Sequence, residues 1–314
     1  MRRRTGSQSD SQRGFVLLNA LVLVAAFAAA AVFVLERAER ARQRQAEVQN
    51  VGQARLYLDG FEALVLTLLS RDQLAGSLDH RGEAWAKVGG AQAMTLDRAQ
   101  VRGQIHDLQG RFNVNWLANP ADVVAAESFA RLLTQLGLPG RLGPEITGFV
   151  SQNGPADVQA YTQLSPGVVA KGGPVVFLLQ LQVMPGLSDR HYERLAPYLA
   201  ALPSDSLVNL NTVSPQVLTS LLPGSNLAGL AQALRSRQQQ PFVSVEDFVT
   251  RAAVALPEGT IPEDEQLRFT VGSEWFHSDI AVELEGRILT RQTFFQRRPL
   301  PYGPQVAFRL ENRT

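Results

Sequence analysis

The sequence predicts an α+β fold in which a long N-terminal helix packs on a small antiparallel sheet, and a large all-helical insertion interrupts that sheet. Three observations lead to this prediction. An uncharged apolar stretch covers residues 15–35, alternating apolar and polar residues occur near 100–117 and again at 268–295, and the block between them has helical periodicity. Because β-like segments lie on both sides of the helical block, we expect that block to be an insertion into one α+β domain.

Residues 15–35 are expected to form a single transmembrane helix. At ~1.5 Å per residue, their length is close to the ~30 Å of a bilayer's hydrocarbon core. Four arginines and one aspartate precede Gly14, whereas residues 36–47 hold four arginines and three acids, so the positive-inside bias keeps the leader in the cytoplasm. The alternative is a conventional cleaved signal, but its apolar part spans only ~7–15 residues.

The apolar spacing after the span extends the helix to about Ser70. Alternating steps of three and four residues place one stripe of apolar side chains on a single helical face. The stripe consists of Val51, Ala54, Leu58, Phe61, Val65 and Leu68. A span followed by an unrelated bundle helix is the alternative interpretation.

Period-two alternation predicts the strands of the sheet. In the first half of the chain, residues 100–106 and 110–117 favour two strands, or one strand bent by a turn. The C-terminal strands are predicted at 268–271, 280–284 and 287–295, with Glu285-Gly286 as a hairpin turn.

These elements set the predicted borders of the domains. The predicted segments are a leader at 1–14, the N-terminal helix at 15–70, the first α+β part at 71–119, the helical insertion at 120–262 and the C-terminal strands at 263–314.

Helix boundaries inside the insertion are predicted from Pro-Gly pairs and serine caps. Gly140, Gly186 and Gly224 each follow a helical pattern and are expected to take the left-handed conformation that ends a helix. Ser188 and Ser214 each precede a helical pattern and are expected to be N-caps. The insertion is therefore expected to consist of short helix–turn–helix units.

Residues 208–248 also resemble a helix-hairpin-helix DNA-binding module. Such modules hold phosphate through backbone N–H groups of a hairpin with two glycines, but here Gly224 is followed by Ser225-Asn226 and the second glycine is missing. The formal net charge of the chain is only +1, which disfavours phosphate-driven binding. A membrane-anchored DNA-binding protein is therefore kept only as an alternative, and no nucleic-acid partner is expected.

No pattern in the sequence predicts an enzyme. The chain has no cysteine, and its four histidines lack the spacing of a metal site, so we expect them to be surface or capping residues. These histidines are His80, His106, His191 and His277. The acidic run 263–265 lacks the alternating oxygen ligands of a calcium loop.

The start of the apolar stretch resembles the processing site of type IV prepilins and type II secretion pseudopilins. The basic leader stops at Gly14 and the apolar run begins at Phe15. The resemblance implies that a prepilin peptidase cleaves after Gly14 and that the new N-terminal Phe15 is methylated. The fifth residue after the cut is usually glutamate in such proteins, but here it is Asn19.

Several further motifs extend the resemblance over nearly the whole chain. They lie at 107–115, 199–203, 209–212 and 273–276. Together with the leader junction, they resemble the K-type minor pseudopilin of bacterial type II secretion systems. The family implies a pilin-like fold with a large helical insertion, a place at the tip of the pseudopilus, and assembly through Asn19 and the apolar stripe. The minor tip subunit of a type IV pilus shares the leader chemistry and is the alternative.

The resemblance also implies partners and a location. The implied partners are the I-type and J-type minor pseudopilins, other pseudopilins, the prepilin peptidase and, as a further implication, secreted substrates. The protein would cross the inner membrane once, with its C-terminal bulk in the periplasm. No cofactor is predicted. The resemblance leaves calcium binding open, with unknown ligands, because residues 148–153 stand where family members tend to carry an acidic stretch and contain no carboxylate.

Overall fold

The computed structural model describes residues 9–89, 94–96, 98–170 and 172–313. The first eight residues of the predicted leader therefore lie outside the described part. The chain divides into two compact units, Met1–Tyr57 and Leu58–Thr314.

The N-terminal helix is longer than predicted at both ends. Helix α1 covers Ser9–Ala75 and continues through Gly52 and Gly60, both of which are exposed. Residues 15–35 are exposed throughout, and the helix contains an 18-residue window with a mean hydropathy of 2.6. Within the described chain, this is the one helix long and apolar enough to cross a membrane.

The main sheet is antiparallel and has five strands. In their spatial order they are β1 (Met94–Leu96), β2 (Ala99–Asp107), β7 (Trp275–Leu284), β8 (Arg287–Arg298) and β9 (Gly303–Arg313). Strands from both ends of the domain pair directly, since β2 hydrogen-bonds to β7 across the whole insertion. The predicted α+β architecture is confirmed.

The hairpin between β7 and β8 turns where the sequence predicts it. Glu285 and Gly286 both have positive φ, 50° and 74°, as a two-residue type I′ turn requires. Strand β9 is absent from our predictions, although Val306, Phe308 and Leu310 alternate with other residues and carry the same signal.

Residues 110–117 do not form the long strand that their alternation suggests. Only β3 (Phe112–Asn113) is extended, and a 3-10 helix follows at Val114–Ala118. The side chain of Asn113 accepts a hydrogen bond from the Asn115 backbone N–H at 3.1 Å and begins this turn. Side chains on both faces of the segment are buried, so its apolar residues face a core on all sides rather than one side of a sheet.

The insertion is mostly helical and is connected to the rest of the fold by two short parallel pairs. Strand β3 pairs with β4 (Leu199–Ala200), and β5 (Val208–Asn209) pairs with β6 (Phe269–Thr270). Its helices are α2 (Val123–Gln135), α3 (Leu142–Val150), α4 (Val158–Thr162), α5 (Asp189–Leu195), α6 (Pro215–Leu221), α7 (Leu227–Ser236), α8 (Val245–Ala252) and α9 (Glu263–Gln266). Shorter 3-10 segments lie at Leu178–Val183, Ala196–Tyr198, Ala253–Ala255 and Pro257–Gly259.

The core of the insertion extends beyond the predicted borders at 120 and 262. Phe112 and Trp116 before it, and Phe269 after it, belong to the same buried cluster as Phe129 and Phe248. Packing is therefore continuous across both predicted borders.

The helix-ending glycines were predicted correctly at one of three positions. Gly224 has a φ of 77°, whereas Gly140 and Gly186 are not left-handed. Helix α2 ends earlier than expected, and Gly137, with a φ of 62°, closes it, while the N–H of Leu138 reaches back to the Leu133 carbonyl at 2.9 Å.

Both serine caps are confirmed. The Ser188 hydroxyl accepts from the His191 N–H, and the Ser214 hydroxyl accepts from the Val217 N–H, each at 3.3 Å.

Candidate functional site

The predicted processing site lies within helix α1. Gly14 and Phe15 are both helical, and Asn19 is exposed one turn later. The first carboxylate after Phe15 is Glu36, at the far end of the apolar stretch. The helix therefore presents an uncharged surface from Phe15 to Leu35, with Asn19 as its one polar side chain.

The apolar stripe predicted for assembly is largely interior. Leu58, Phe61 and Val65 are buried within the second unit of the chain. Ala54 is also buried, whereas Val51 and Leu68 are half-buried. The three buried side chains of the second unit hold α1 on its own sheet.

Charged side chains reinforce this attachment of α1 to the sheet. Arg309 on β9 donates to both oxygens of Glu62, at 2.7 and 2.6 Å. Arg291 on β8 donates to Asp59 at 2.6 Å and contacts Glu311 at 2.8 Å. Two strands are therefore linked to the helix by ion pairs as well as by apolar packing.

A buried polar network lies where the end of α1, the sheet and the insertion meet; we call it the junction. Arg297, at the end of β8, donates to Asp72 at 2.8 Å and to the backbone oxygen of Ser273 at 3.1 Å. Its second Nη also contacts a carboxylate oxygen of Asp79, which is fully buried. Burial raises the pKa of Asp79, and the nearby Arg297 guanidinium opposes this shift.

Asp107 is the second buried carboxylate of the junction. One of its oxygens accepts from the Gln109 N–H at 2.7 Å, and the other accepts from Ser273 Oγ at 2.6 Å. Thr212 Oγ1 and Asn209 Nδ2 donate to that second oxygen as well. Burial raises the pKa of Asp107, whereas these hydrogen bonds lower it.

Asn209 connects the insertion to this network. Its Nδ2 lies 3.0 Å from the Asp79 backbone oxygen, 3.1 Å from Asp107 Oδ2 and 2.8 Å from Ser273 Oγ. Asp107, Asn209 and Ser273 come from three of the motifs that carry the family resemblance. The structure therefore brings together, in one buried cluster, residues that the sequence predicted only as separate motifs.

Three acidic groups near the junction are close enough to hold a metal ion. One carboxylate oxygen from each of Asp72, Asp79 and Glu83 lies within 4.8 Å of the others. Arg297, however, already supplies a positive charge to Asp72 and Asp79, and Glu83 accepts from the Trp85 indole at 2.7 Å. This set does not fit calcium well, because two of its three carboxylates already pair with a guanidinium.

Two of the histidines lie side by side and one of them is buried, whereas we expected surface or capping residues. His106 on β2 and His277 on β7 are cross-strand partners with ring centroids 6.0 Å apart. Both rings approach Asp279, at 3.6 and 3.4 Å. His277 is buried, and burial lowers its pKa to about 4. Strand pairing across the insertion, which sequence spacing does not reveal, brings them together.

Comparisons with known proteins match this chain to one family. Two family models, both described as type II secretion system protein K, match residues 110–204 and 208–270. Type II secretion system protein K from Klebsiella pneumoniae is 29% identical over 265 residues, covering 77% of this chain and 80% of that protein. The protein of the same name from Dickeya chrysanthemi is 26% identical over 353 residues, covering 95% of this chain and 96% of that protein.

A solved structure shares the fold. A chain in the crystal structure of the GspK-GspI-GspJ complex from the enterotoxigenic Escherichia coli type 2 secretion system aligns with a TM-score of 0.69. The alignment covers 86% of this chain and 100% of that chain, at 20% sequence identity.

Proposed function

This chain belongs to the type II secretion system protein K family and is a minor pseudopilin, and we propose that it occupies the tip of the pseudopilus and nucleates its assembly. In this proposal residues 15–35 of α1 anchor the chain in the inner membrane, and the residues that follow them lie in the periplasm. The I-type and J-type minor pseudopilins are its proposed partners, because the structurally similar E. coli chain belongs to a GspK-GspI-GspJ complex.

Asn19 is the observation that carries the tip assignment. In a fibre of such subunits, a glutamate at this position would neutralise the N-terminal amine of the neighbouring subunit inside an apolar medium, where a lone charge is costly. The first carboxylate after Phe15 is Glu36, which lies beyond the apolar stretch. A subunit of this kind offers no such partner to a subunit above it, which suits the end of a fibre.

Processing by the prepilin peptidase belongs to the same proposal. Cleavage after Gly14 would leave Phe15 as the first residue of an uncharged helix, so that the whole apolar stretch can enter a helical bundle. Leu58, Phe61 and Val65 would support assembly by fixing α1 on its own sheet, which leaves the opposite side of the helix for contacts with neighbouring subunits.

End-labelling of pseudopili tests the proposal. We expect antibody-gold against this chain to mark one end of each fibre, and mass spectrometry of the same preparation to give an N-terminus at methylated Phe15. Asn19→Glu should restore the missing carboxylate and add labels along the fibre, whereas Asn19→Gln, the control, should keep the label terminal. Labels along the length of wild-type fibres would refute the tip assignment.

A further inference from the structure

A cavity of about 380 Å³ lies beside the junction. Its walls come from the turn after α1, the end of β2 and the insertion, and they include Arg81, His106, Arg111 and Ser214. This volume is within the ~300–1,000 Å³ range of small-molecule sites. The cavity can therefore admit a small ligand or a side chain.

Two arginines in the wall of this cavity have no carboxylate partner among the described residues. Arg111 is half-buried; its backbone N–H donates to the Leu108 carbonyl at 3.2 Å, but its guanidinium makes no hydrogen bond or ion pair within the described chain. Arg81 donates from Nη2 to the Thr212 carbonyl at 2.7 Å and forms no ion pair with any described residue. Burial lowers the pKa of Arg111, as expected for a cation that lacks a bonded counter-ion.

The nearby carboxylates, Asp107 and Asp279, form no ion pair with these two guanidinium groups. Asp107 lines the same cavity, but both of its oxygens accept hydrogen bonds from other groups of the junction. Asp279 contacts the two stacked histidines and acts on Arg111 only through space. The Arg111 guanidinium, and the donors of Arg81 other than the one bonded to Thr212, therefore remain available to a ligand.

The unpaired guanidinium groups favour an anionic ligand in the cavity. Arg81 and Arg111 contribute two positive charges to its wall, and Asp279 lies nearby. Both oxygens of Asp107 accept hydrogen bonds from other groups of the junction. A planar carboxylate matches the fork geometry of arginine and carries a single negative charge, whereas a phosphate dianion would meet stronger repulsion from Asp107 and Asp279.

We propose that this cavity is a carboxylate-binding site, with Arg111 and Arg81 as its cationic ligands. The carboxylate belongs either to a small free molecule or to an acidic side chain of a protein. The site lies in the second unit of the chain, apart from the processing site, so it does not depend on the tip assignment.

Ligand-induced stabilisation of the full-length chain in detergent micelles tests the proposal. The probes are acetate, the capped peptide acetyl-Gly-Asp-Gly-amide, its Asn counterpart and inorganic phosphate, each compared with chloride at equal ionic strength. At a concentration ten times its Kd, a ligand lowers the apparent unfolding constant about tenfold. We expect this effect with acetate and the Asp peptide, and not with the Asn peptide.

Variants assign the effect to the cavity. Arg111→Gln and Arg81→Gln should each abolish the stabilisation by acetate, whereas Arg190→Gln, which removes an exposed charge from helix α5, should retain it. Arg111→Lys keeps the positive charge but lacks the forked guanidinium, so it should weaken acetate binding at least fivefold. This variant tests the proposal even if Arg111→Gln does not fold.

The outcomes separate the two sources of the ligand. Tenfold tighter binding of the Asp peptide than of acetate would support a protein carboxylate, and equal binding would support a free one. The proposal is wrong if acetate stabilises no more than chloride, if Arg111→Gln responds like the wild type, or if phosphate binds more tightly than acetate.

Discussion

At the scale of single residues, Arg297 is the side chain on which the junction most depends. It is buried and contacts Asp72, Asp79 and the Ser273 carbonyl. A buried ion pair contributes little net stability while it is intact, but removal of one partner leaves a buried charge uncompensated. Two carboxylates would lose their cation at once.

Arg297→Gln should therefore destabilise the protein by about 3–5 kcal/mol. The measurement is urea unfolding followed by circular dichroism. Arg298→Gln is the matched control, because Arg298 is the next residue of β8 and is exposed over Tyr302. Equal midpoints for the two variants would mean that Arg297 is not an important counter-ion.

His277 gives a residue-scale prediction about pH. Burial lowers its pKa to about 4 from the ordinary 6.5, so the folded state binds fewer protons than the unfolded state. Asp279 opposes this shift, and Arg111 and His106 add to it. Stability should therefore fall as pH decreases through this window, by about 3 kcal/mol between pH 7 and pH 4 from this group alone.

His277→Phe should remove this part of the acid sensitivity. The variant keeps an aromatic ring beside Phe294, whose centroid lies 4.7 Å from that of His277. Unfolding free energies at pH 7 and pH 4 are compared, with His191→Phe on helix α5 as the control. If His277→Phe lost as much stability as the control on acidification, the burial argument would be wrong.

At the scale of elements, the attachment of α1 to the sheet depends on one close approach. A Cβ atom added to Gly103 on β2 would lie 2.3 Å from the Phe61 ring. Only glycine lets the aromatic ring pack directly on the strand at this point. Gly60, the neighbour of Phe61 in the helix, has open space where its Cβ would be.

Alanine substitutions at these two glycines should have opposite effects. Gly103→Ala should destabilise the fold by about 1–3 kcal/mol because the Phe61 ring must move. Gly60→Ala should stabilise it by up to about 1 kcal/mol, since alanine is the better helix former and meets no clash. Thermal unfolding of both variants tests this, and a shift of the same sign would contradict the predicted packing.

At the scale of the whole molecule, the junction connects the insertion to the sheet that it interrupts. Asn209 contacts groups of Asp79, Asp107 and Ser273, which lie outside the insertion. Asn211, two residues later, bonds only within the insertion, where it pairs with both backbone groups of Phe242. Substitution of Asn209 therefore tests the coupling between the insertion and the sheet, whereas substitution of Asn211 tests the stability of the insertion.

Asn209→Ala should lower hydrogen-exchange protection in the insertion and also at the adjoining ends of β2 and β7. Asn211→Ala should lower it mainly in the insertion. Each variant should lower the free energy of opening, measured by hydrogen exchange, by about 1–3 kcal/mol, which is the cost of leaving buried polar partners unsatisfied. Unchanged protection in β2 and β7 for Asn209→Ala would show that the junction does not couple them.

Local chemistry made much of the fold predictable. The long apolar helix, the Glu285-Gly286 hairpin and the serine caps follow from composition, turn preferences and short-range hydrogen bonds, and all three appear at the expected places. Local signals gave the wrong structure at 110–117, where the segment is buried on both faces and only two residues form a strand. They also gave the wrong helix end at Gly140, because α2 ends at Gln135. The candidate sites were less predictable, because His106 and His277 meet only through strand pairing.

Linear sequence was enough to identify the family, the long apolar N-terminal helix and the order of helical and extended segments. These properties depend on neighbouring residues or on linear motifs, such as Gly14-Phe15 followed by Asn19. The folded chain was needed to establish that the apolar stripe is largely interior, that three distant motifs form one buried junction, and that Arg81 and Arg111 face a common cavity. Those properties depend on long-range packing, which brings together side chains that are far apart in sequence.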